Sequence, residues 1–244
     1  HIATTGRPGP VLIDVPKDVS QGDMPATFGL DMELPGYEVP GHGDHDTIVA
    51  VAEALSNAKR PLLLVGHGAM IANAGDAVRR LAERLQAPVT TTLLGKGAFP
   101  ETHDLSLGML GMHGTAYANK AVVECDLIIS IGSRFDDRII GQADQFCRNA
   151  TIIHIDIDPG EHGKMIKPHY FVQGDARLVV EELIKHVKRL KNDAWITQID
   201  RYKTKYPLKF RKQGGLKMQH IIDELYRLTE GKAIISTDVG QHQM

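Results

Sequence analysis

Residues 126–132 read DLIISIG. Leu127, Ile128, Ile129 and Ile131 make an almost continuous apolar run, broken only by Ser130 and closed by a glycine. The run is strand length, and with no polar alternation it has no face to offer to water. A strand of this kind belongs to a parallel sheet covered on both sides. The same reading extends outward to PLLLVG (61–66), PVTTTLLG (88–95), TIIHIDID (151–158) and HYFVQG (169–174). Between these runs lie helical patterns. AGDAVRRLAERLQ (74–86) places Ala77, Val78, Leu81 and Leu85 on one face, TAYANKAVVEC (115–125) is helix-like, and DARLVVEELIKHVKRL (175–190) has a cap residue in Asp175 with cations in its last turn. Strands alternating with helices predict an α/β fold, a doubly wound parallel sheet. Gly66, Gly95, Gly132, Asp156, Asp158 and Gly174 all fall at carboxyl ends of predicted strands, the edge where an open α/β sheet binds ligands.

Composition agrees with a soluble globular chain: 244 residues, 42% apolar and 24% charged, net charge -2. The longest basic stretch is KHVKRLK, so neither nucleic acid nor an anionic membrane surface is implied as a partner. No run approaches the roughly 18 apolar residues of a membrane span. The two cysteines, Cys125 and Cys147, suit a reducing compartment in which both stay free. Residues 22–44 carry Pro25, Pro35 and Pro40 without sustained periodicity and read as a linker; 191–216 is polar and basic and reads as a second connector. Val11–Val15 is strand material, and a helix over 217–229 with a strand over 232–236 opens a further unit. The last strand runs into a Gly-centred turn, Thr237 to His242, of the kind that begins a phosphate-holding βα unit. Both ends read as cut from a longer polypeptide.

Four motifs carry chemistry, each with a plainer reading. VGHGAM supplies Gly66-x-Gly68 after a strand, but position 71 is Ile, so G-x-G-x-x-G is incomplete. SRFDDR (133–138) is either a self-neutralising solvated loop or a charged site. MLGMHG (109–114) sets Met109, Met112 and His113 among glycines, as gap fillers and a loop histidine or as a binding turn. HIDID (154–158) puts Asp156 at a strand end, where it can accept from a ribose hydroxyl. His154 with Asp156 as a metal pair lacks a third ligand at suitable spacing. No G-x-S-x-G elbow or paired-Cys motif is present.

GRPGPVLIDVPKDV, TLLGKGAFPETH, MLGMHGTAYAN, GSRFDDR, HIDIDP and IISTDVGQHQM, in that order and spacing, resemble the catalytic large subunits of the acetohydroxyacid synthase family. These are thiamine diphosphate enzymes of branched-chain amino-acid biosynthesis. The LGMHGT and RFDDR stretches are the most specific, and the resemblance runs from end to end. It implies an internal segment of a three-domain protein. Residues 1–21 would end the pyrimidine-binding domain and 45–190 would form a Rossmann-like FAD-binding domain; 217–244 would begin the diphosphate-binding domain. Flavin contacts map to Arg7, Gly66, Gly68, Thr92, Leu93, Leu110, Gly111, Met112, His113, Gly132, Ser133, Arg134, Phe135, Asp136, Asp156, Ile157, Asp175 and Ala176. His67 stands where the family has glycine. Thiamine diphosphate maps to Val239, Gly240, Gln241 and His242. In the acceptor-substrate site Arg138 would hold the keto-acid carboxylate, Met112 would be a pocket wall, and Lys17 would lie at the channel mouth.

The implied reaction decarboxylates pyruvate and joins the product to pyruvate or 2-ketobutyrate. Mg2+ is an implied cofactor whose ligands fall outside these residues, so the segment alone is expected to be inactive. A homodimer or homotetramer is implied, with a small regulatory subunit as a further partner. The implied location is cytoplasmic, or plastid or mitochondrial in a eukaryote. The alternatives are another FAD-containing thiamine diphosphate enzyme, of the glyoxylate carboligase or pyruvate oxidase type, or a stand-alone nucleotide-binding module. Arg138 beside Met112 argues against the former.

Overall fold

The computed structural model describes residues 1–24, 26, 34–211, 213–238 and 240. Six strands form one sheet: β1 (Pro61–Val65), β2 (Val89–Thr91), β3 (Ser106–Met109), β4 (Leu127–Ile131), β5 (Thr151–Asp156) and β6 (Tyr170–Gln173). Their order is β3-β2-β1-β4-β5-β6, and every pairing is parallel. All five residues of β1 and of β4 are buried, as their unbroken apolar runs require. The doubly wound parallel sheet expected from sequence is therefore present.

The two sides of the sheet carry separate cores. Leu63, Val89, Ile129 and Ile153 lie in register on one side, which α2 (His45–Asn57), α4 (Gly75–Leu85) and α7 (Ala176–His186) cover through Val51, Leu55, Val78, Leu81, Val180 and Leu183. Leu62, Ile128 and Ile152 face the other side, against α5 (Ala116–Glu124) and α8 (Asp193–Lys205). Helices α2, α5 and α7 each start where a side chain satisfies free N–H groups. Asp44 accepts from the Thr47 N–H, Thr115 from that of Ala118, and Asp175 from those of Arg177 and Leu178.

Three expectations need correction. The 191–216 stretch is not only a connector, because α8 docks there. Trp195 and Ile199 are buried, and the indole donates to the Pro61 carbonyl at 3.1 Å. Only three large apolar side chains at helical spacing mark that face, which a Lys-, Arg- and Asp-rich background obscures. Strand β3, on the sheet edge, falls in a stretch to which no element was assigned from sequence. Val11–Val15 and 232–236 are not strands. A strand needs a neighbour's backbone groups, neither segment has one among the described residues, and Leu12 and Ile234 lie almost wholly in solvent. The helix expected over 217–229 is formed as α9 (Met218–Thr229), with none of its residues buried. No helix among the described residues is long and apolar enough to cross a membrane.

Candidate functional site

The strand order reverses between β1 and β4, and the crevice at the carboxyl ends of those two strands is where such sheets receive ligands. Three glycines close the base of that crevice. Gly66 donates to the Ile131 carbonyl at 2.9 Å, Gly68 to the Gly132 carbonyl at 3.0 Å, and Gly132 to the Ile155 carbonyl at 2.8 Å. A Cβ on Gly132 would sit 2.6 Å from the Ala69 nitrogen, and its φ is +62°. A Cβ on Gly66 would lie inside the Gly132 carbonyl. These glycines are required because the turns after β1 and β4 pack backbone on backbone. That need is met without a third glycine at position 71, where Ile71 ends the short helix α3 (His67–Ile71).

Above this floor lies a cleft of about 850 Å³, toward the upper end of ordinary ligand sites of roughly 300–1,000 Å³. Of the mapped flavin positions, Arg7, Gly68, Thr92, Leu93, Leu110, Met112, His113, Gly132, Ser133, Arg134, Asp136, Asp156, Ile157, Asp175 and Ala176 line it, together with Arg138. The lining also includes Gly6, Pro8, His67, Ile71, Ala72, Leu94, Met109, Ile139, Glu161 and Gly174, none of which was mapped to flavin. Leu93, Leu94 and Met112 are each more than half exposed. Large apolar groups left in solvent beside a concave floor give the cleft its apolar walls.

Three mapped residues stand behind the lining. Gly66 lies in the glycine contact just described. Phe135 has φ +54° and is buried. It turns its ring onto Phe146 and His154, at 5.9 and 4.8 Å between centroids. With Gly132 also left-handed, the SRFDD segment sends Phe135 into the core and Arg134 and Asp136, ion-paired to each other, into the cleft. Gly111, at φ +95°, holds the MLGMHG turn against the next loop. A Cβ there would be 2.5 Å from the Arg138 carbonyl, to which Met112 N–H donates at 3.1 Å. Met112 and Arg138 are thereby set side by side. Asn119, unassigned from sequence, braces the same turn, accepting from Gly111 N–H at 2.8 Å and donating to its carbonyl at 3.0 Å.

The charges are paired along one side of the cleft. Arg7 Nη1 donates to Asp158 Oδ2 at 2.7 Å and to Glu161 Oε1 at 2.6 Å, so the GRPG segment docks on the sheet edge. That hydrogen bond from Arg7 holds Asp158 below the usual carboxylate range. The Arg138 N–H, donating to Asp136, holds that carboxyl low as well. The Arg138 guanidinium itself is about three-quarters exposed, with Asp137 Oδ2 at 3.9 Å. His154 is buried, Nε2 lies 2.9 Å from the Ser133 carbonyl oxygen, and Nδ1 has no partner among the described residues. With Asp156 Oδ2 at 3.6 Å, it supports the cleft floor from behind, and no third ligand joins the pair among the described residues. Lys17 belongs to α1 (Lys17–Gln21), exposed and outside the cleft lining. Val239, Gln241 and His242 lie outside the described residues; Gly240 is described and does not line the cleft. Cys125 and Cys147 are free, as expected.

Residues 48–183 match the family model described as thiamine pyrophosphate enzyme, central domain. Over its full length the chain is similar to the acetolactate synthase large subunit of Parasynechococcus marenigrum (strain WH8102), at 48% identity covering 40% of that protein. It is 42% identical to the acetolactate synthase large subunit of Haemophilus influenzae, covering 44% of it. It is 43% identical to the chloroplastic acetolactate synthase of Arabidopsis thaliana, covering 37%. The chain spans about two-fifths of the length of these curated relatives.

Proposed function

Because the chain belongs to the thiamine pyrophosphate enzyme family through its central domain, we propose that it works within an acetolactate synthase large subunit. That enzyme decarboxylates pyruvate and joins the product to a second 2-keto acid, pyruvate or 2-ketobutyrate, in valine, leucine and isoleucine biosynthesis. The carrying observation is the carboxyl-edge cleft, where fifteen positions matched to flavin contacts converge with Arg138. The relatives' names favour this reading over the glyoxylate carboligase, pyruvate oxidase and stand-alone binding alternatives.

The cleft's own chemistry fits FAD. Its walls are exposed Leu93, Leu94 and Met112, suited to flat ring systems, and its floor is bare backbone at Gly68 and Gly132. Asp156 and Asp175 at strand ends suit hydroxyl donors, and Arg134 and His67 suit an anion. In this reading FAD takes a structural part when bound, and thiamine diphosphate with Mg2+ supplies the chemistry of decarboxylation and carbon–carbon bond formation.

The residues of this chain then bind and orient. The Arg138 fork suits the acceptor's planar carboxylate, because a guanidinium donates two parallel hydrogen bonds. Its exposure and loose hold on Asp137 leave those donors available. Met112 walls the acceptor's apolar end, and the Gly111 turn keeps it beside Arg138. The enzyme is proposed to be a homodimer or homotetramer with a small regulatory subunit, in the cytoplasm or in a plastid or mitochondrion. The test supplies the intact purified protein with pyruvate, thiamine diphosphate, Mg2+ and FAD and assays acetolactate. Sustained product and a flavin absorption band are expected; a colourless protein that forms no acetolactate overturns the reading.

A further inference from the structure

At the end of α7 away from the cleft, three side chains with metal-ligating atoms meet. They are His45 in the first turn of α2 and Glu182 and His186 of α7. We propose that they form a zinc site that clips α2 to α7.

The donor set and its spacing carry the inference. Glu182 and His186 are four residues apart, so a helix stacks them on one face, and His186 Nε2 lies 3.1 Å from Glu182 Oε1. His45 comes from a different element. Its ring meets His186 edge to face, with centroids 5.5 Å apart, and one donor atom from each of the three side chains lies within 4.8 Å of the others. Zinc bonds of about 2.0–2.2 Å place tetrahedral donors roughly 3.3–3.6 Å apart, so the His186–Glu182 pair at 3.1 Å needs only a small opening to reach that separation. The others close by rotating exposed side chains. Two imidazoles, one carboxylate and a fourth position open to water select zinc over magnesium or calcium, which prefer all-oxygen shells.

The surroundings are preformed. Ile48, Val51 and Leu55 of α2 share one core with Val179, Val180 and Leu183 of α7. The Lys188 N–H donates to Ser56 Oγ at 3.0 Å. His186 closes α7, where a helix favours a cation. The first turn of α2 disfavours one, but Asp44 and Asp46 flank His45 there. One neighbour competes: Lys185 Nζ donates to the second Glu182 oxygen at 2.6 Å.

The test is a calorimetric titration of zinc chloride into the intact protein in a buffer that does not bind metals. Co2+ absorption in the visible reports tetrahedral geometry. One zinc per chain is expected, with a higher melting temperature. His45→Ala and His186→Ala should each weaken binding by more than the roughly 10- to 100-fold that losing an outer-shell partner costs. Because both side chains are exposed, both variants should melt like wild type in the absence of zinc. Lys185→Gln should bind zinc more tightly, a gain that misfolding does not produce. Zinc binding unchanged by both histidine variants, loss on His186→Ala with none on His45→Ala, or no binding at all would each overturn the clip.

Discussion

Arg7 reaches across 154 residues of sequence to Glu161, donating from Nη1 to Oε1 at 2.6 Å, and Glu161 is itself buried. The GRPG segment is thus part of the cleft wall and does not hang free of the sheet domain. Glu161→Gln keeps the shape and removes the charge. A charged hydrogen bond contributes about 1.5–3 kcal/mol, less here because Arg7 is half exposed. The expected result is faster proteolytic cleavage within residues 1–9 and weaker retention of the proposed flavin. An unchanged cleavage rate would show that other contacts hold the segment.

The Arg7–Asp158 contact sets a pH limit. Asp158 is held below its ordinary value of 3.8, chiefly by the hydrogen bond from Arg7. A depressed carboxyl contributes stability that is complete above its unfolded value and lost as pH falls through the folded one. Protection of residues 1–9 in hydrogen exchange should therefore be flat from about pH 8 to 5 and fall only below the ordinary carboxylate range. A step near neutral pH would assign the latch to another group.

Gly132→Ala should be among the most damaging small substitutions. The added Cβ would meet Ala69 N at 2.6 Å in a backbone with φ +62°. The left-handed conformation alone costs about 1–2 kcal/mol for a residue with a side chain, and the clash with backbone adds to it. Thermal denaturation should show a large loss. A variant as stable as wild type would mean that the two turns can separate.

Trp195 is the chain's single tryptophan and is buried under α8. Trp195→Ala should destabilise by about 3–5 kcal/mol. Trp195→Phe should lose less, since it forfeits chiefly the bond to the Pro61 carbonyl. Urea denaturation followed by far-ultraviolet circular dichroism measures both. Equal losses would place the energy in the hydrogen bond and not in the packing.

Arg138→Lys tests the acceptor role proposed for Arg138. The charge stays, but one of two parallel hydrogen bonds is lost, and at about 1.5–3 kcal/mol per charged bond use of the acceptor should fall roughly 10- to 100-fold. Steady-state assays with pyruvate alone and with added 2-ketobutyrate would show it. Wild-type kinetics toward both would remove Arg138 from the role.

Burial of β1 and β4 could be read from sequence because a strand covered on both faces must be almost wholly apolar, a purely local property. The helix start at Asp175 was equally local, since a cap needs only its own side chain and the next turn. Gly66, Gly132 and Asp156 could be placed on the binding edge because strand ends in a parallel sheet all point one way. Pairing between distant segments was another matter. Val11–Val15 and 232–236 have strand composition, yet a strand forms only where a neighbour supplies hydrogen bonds. The docking of α8 depends on Trp195 meeting the Pro61 carbonyl, 134 residues away. Phe135 turns inward only because a left-handed backbone and the rings of His154 and Phe146 await it. Asn119 on Gly111, Arg7 on Glu161, and His45 beside Glu182 and His186 arise from packing alone, because periodicity specifies which face of an element is buried but not which distant element covers it.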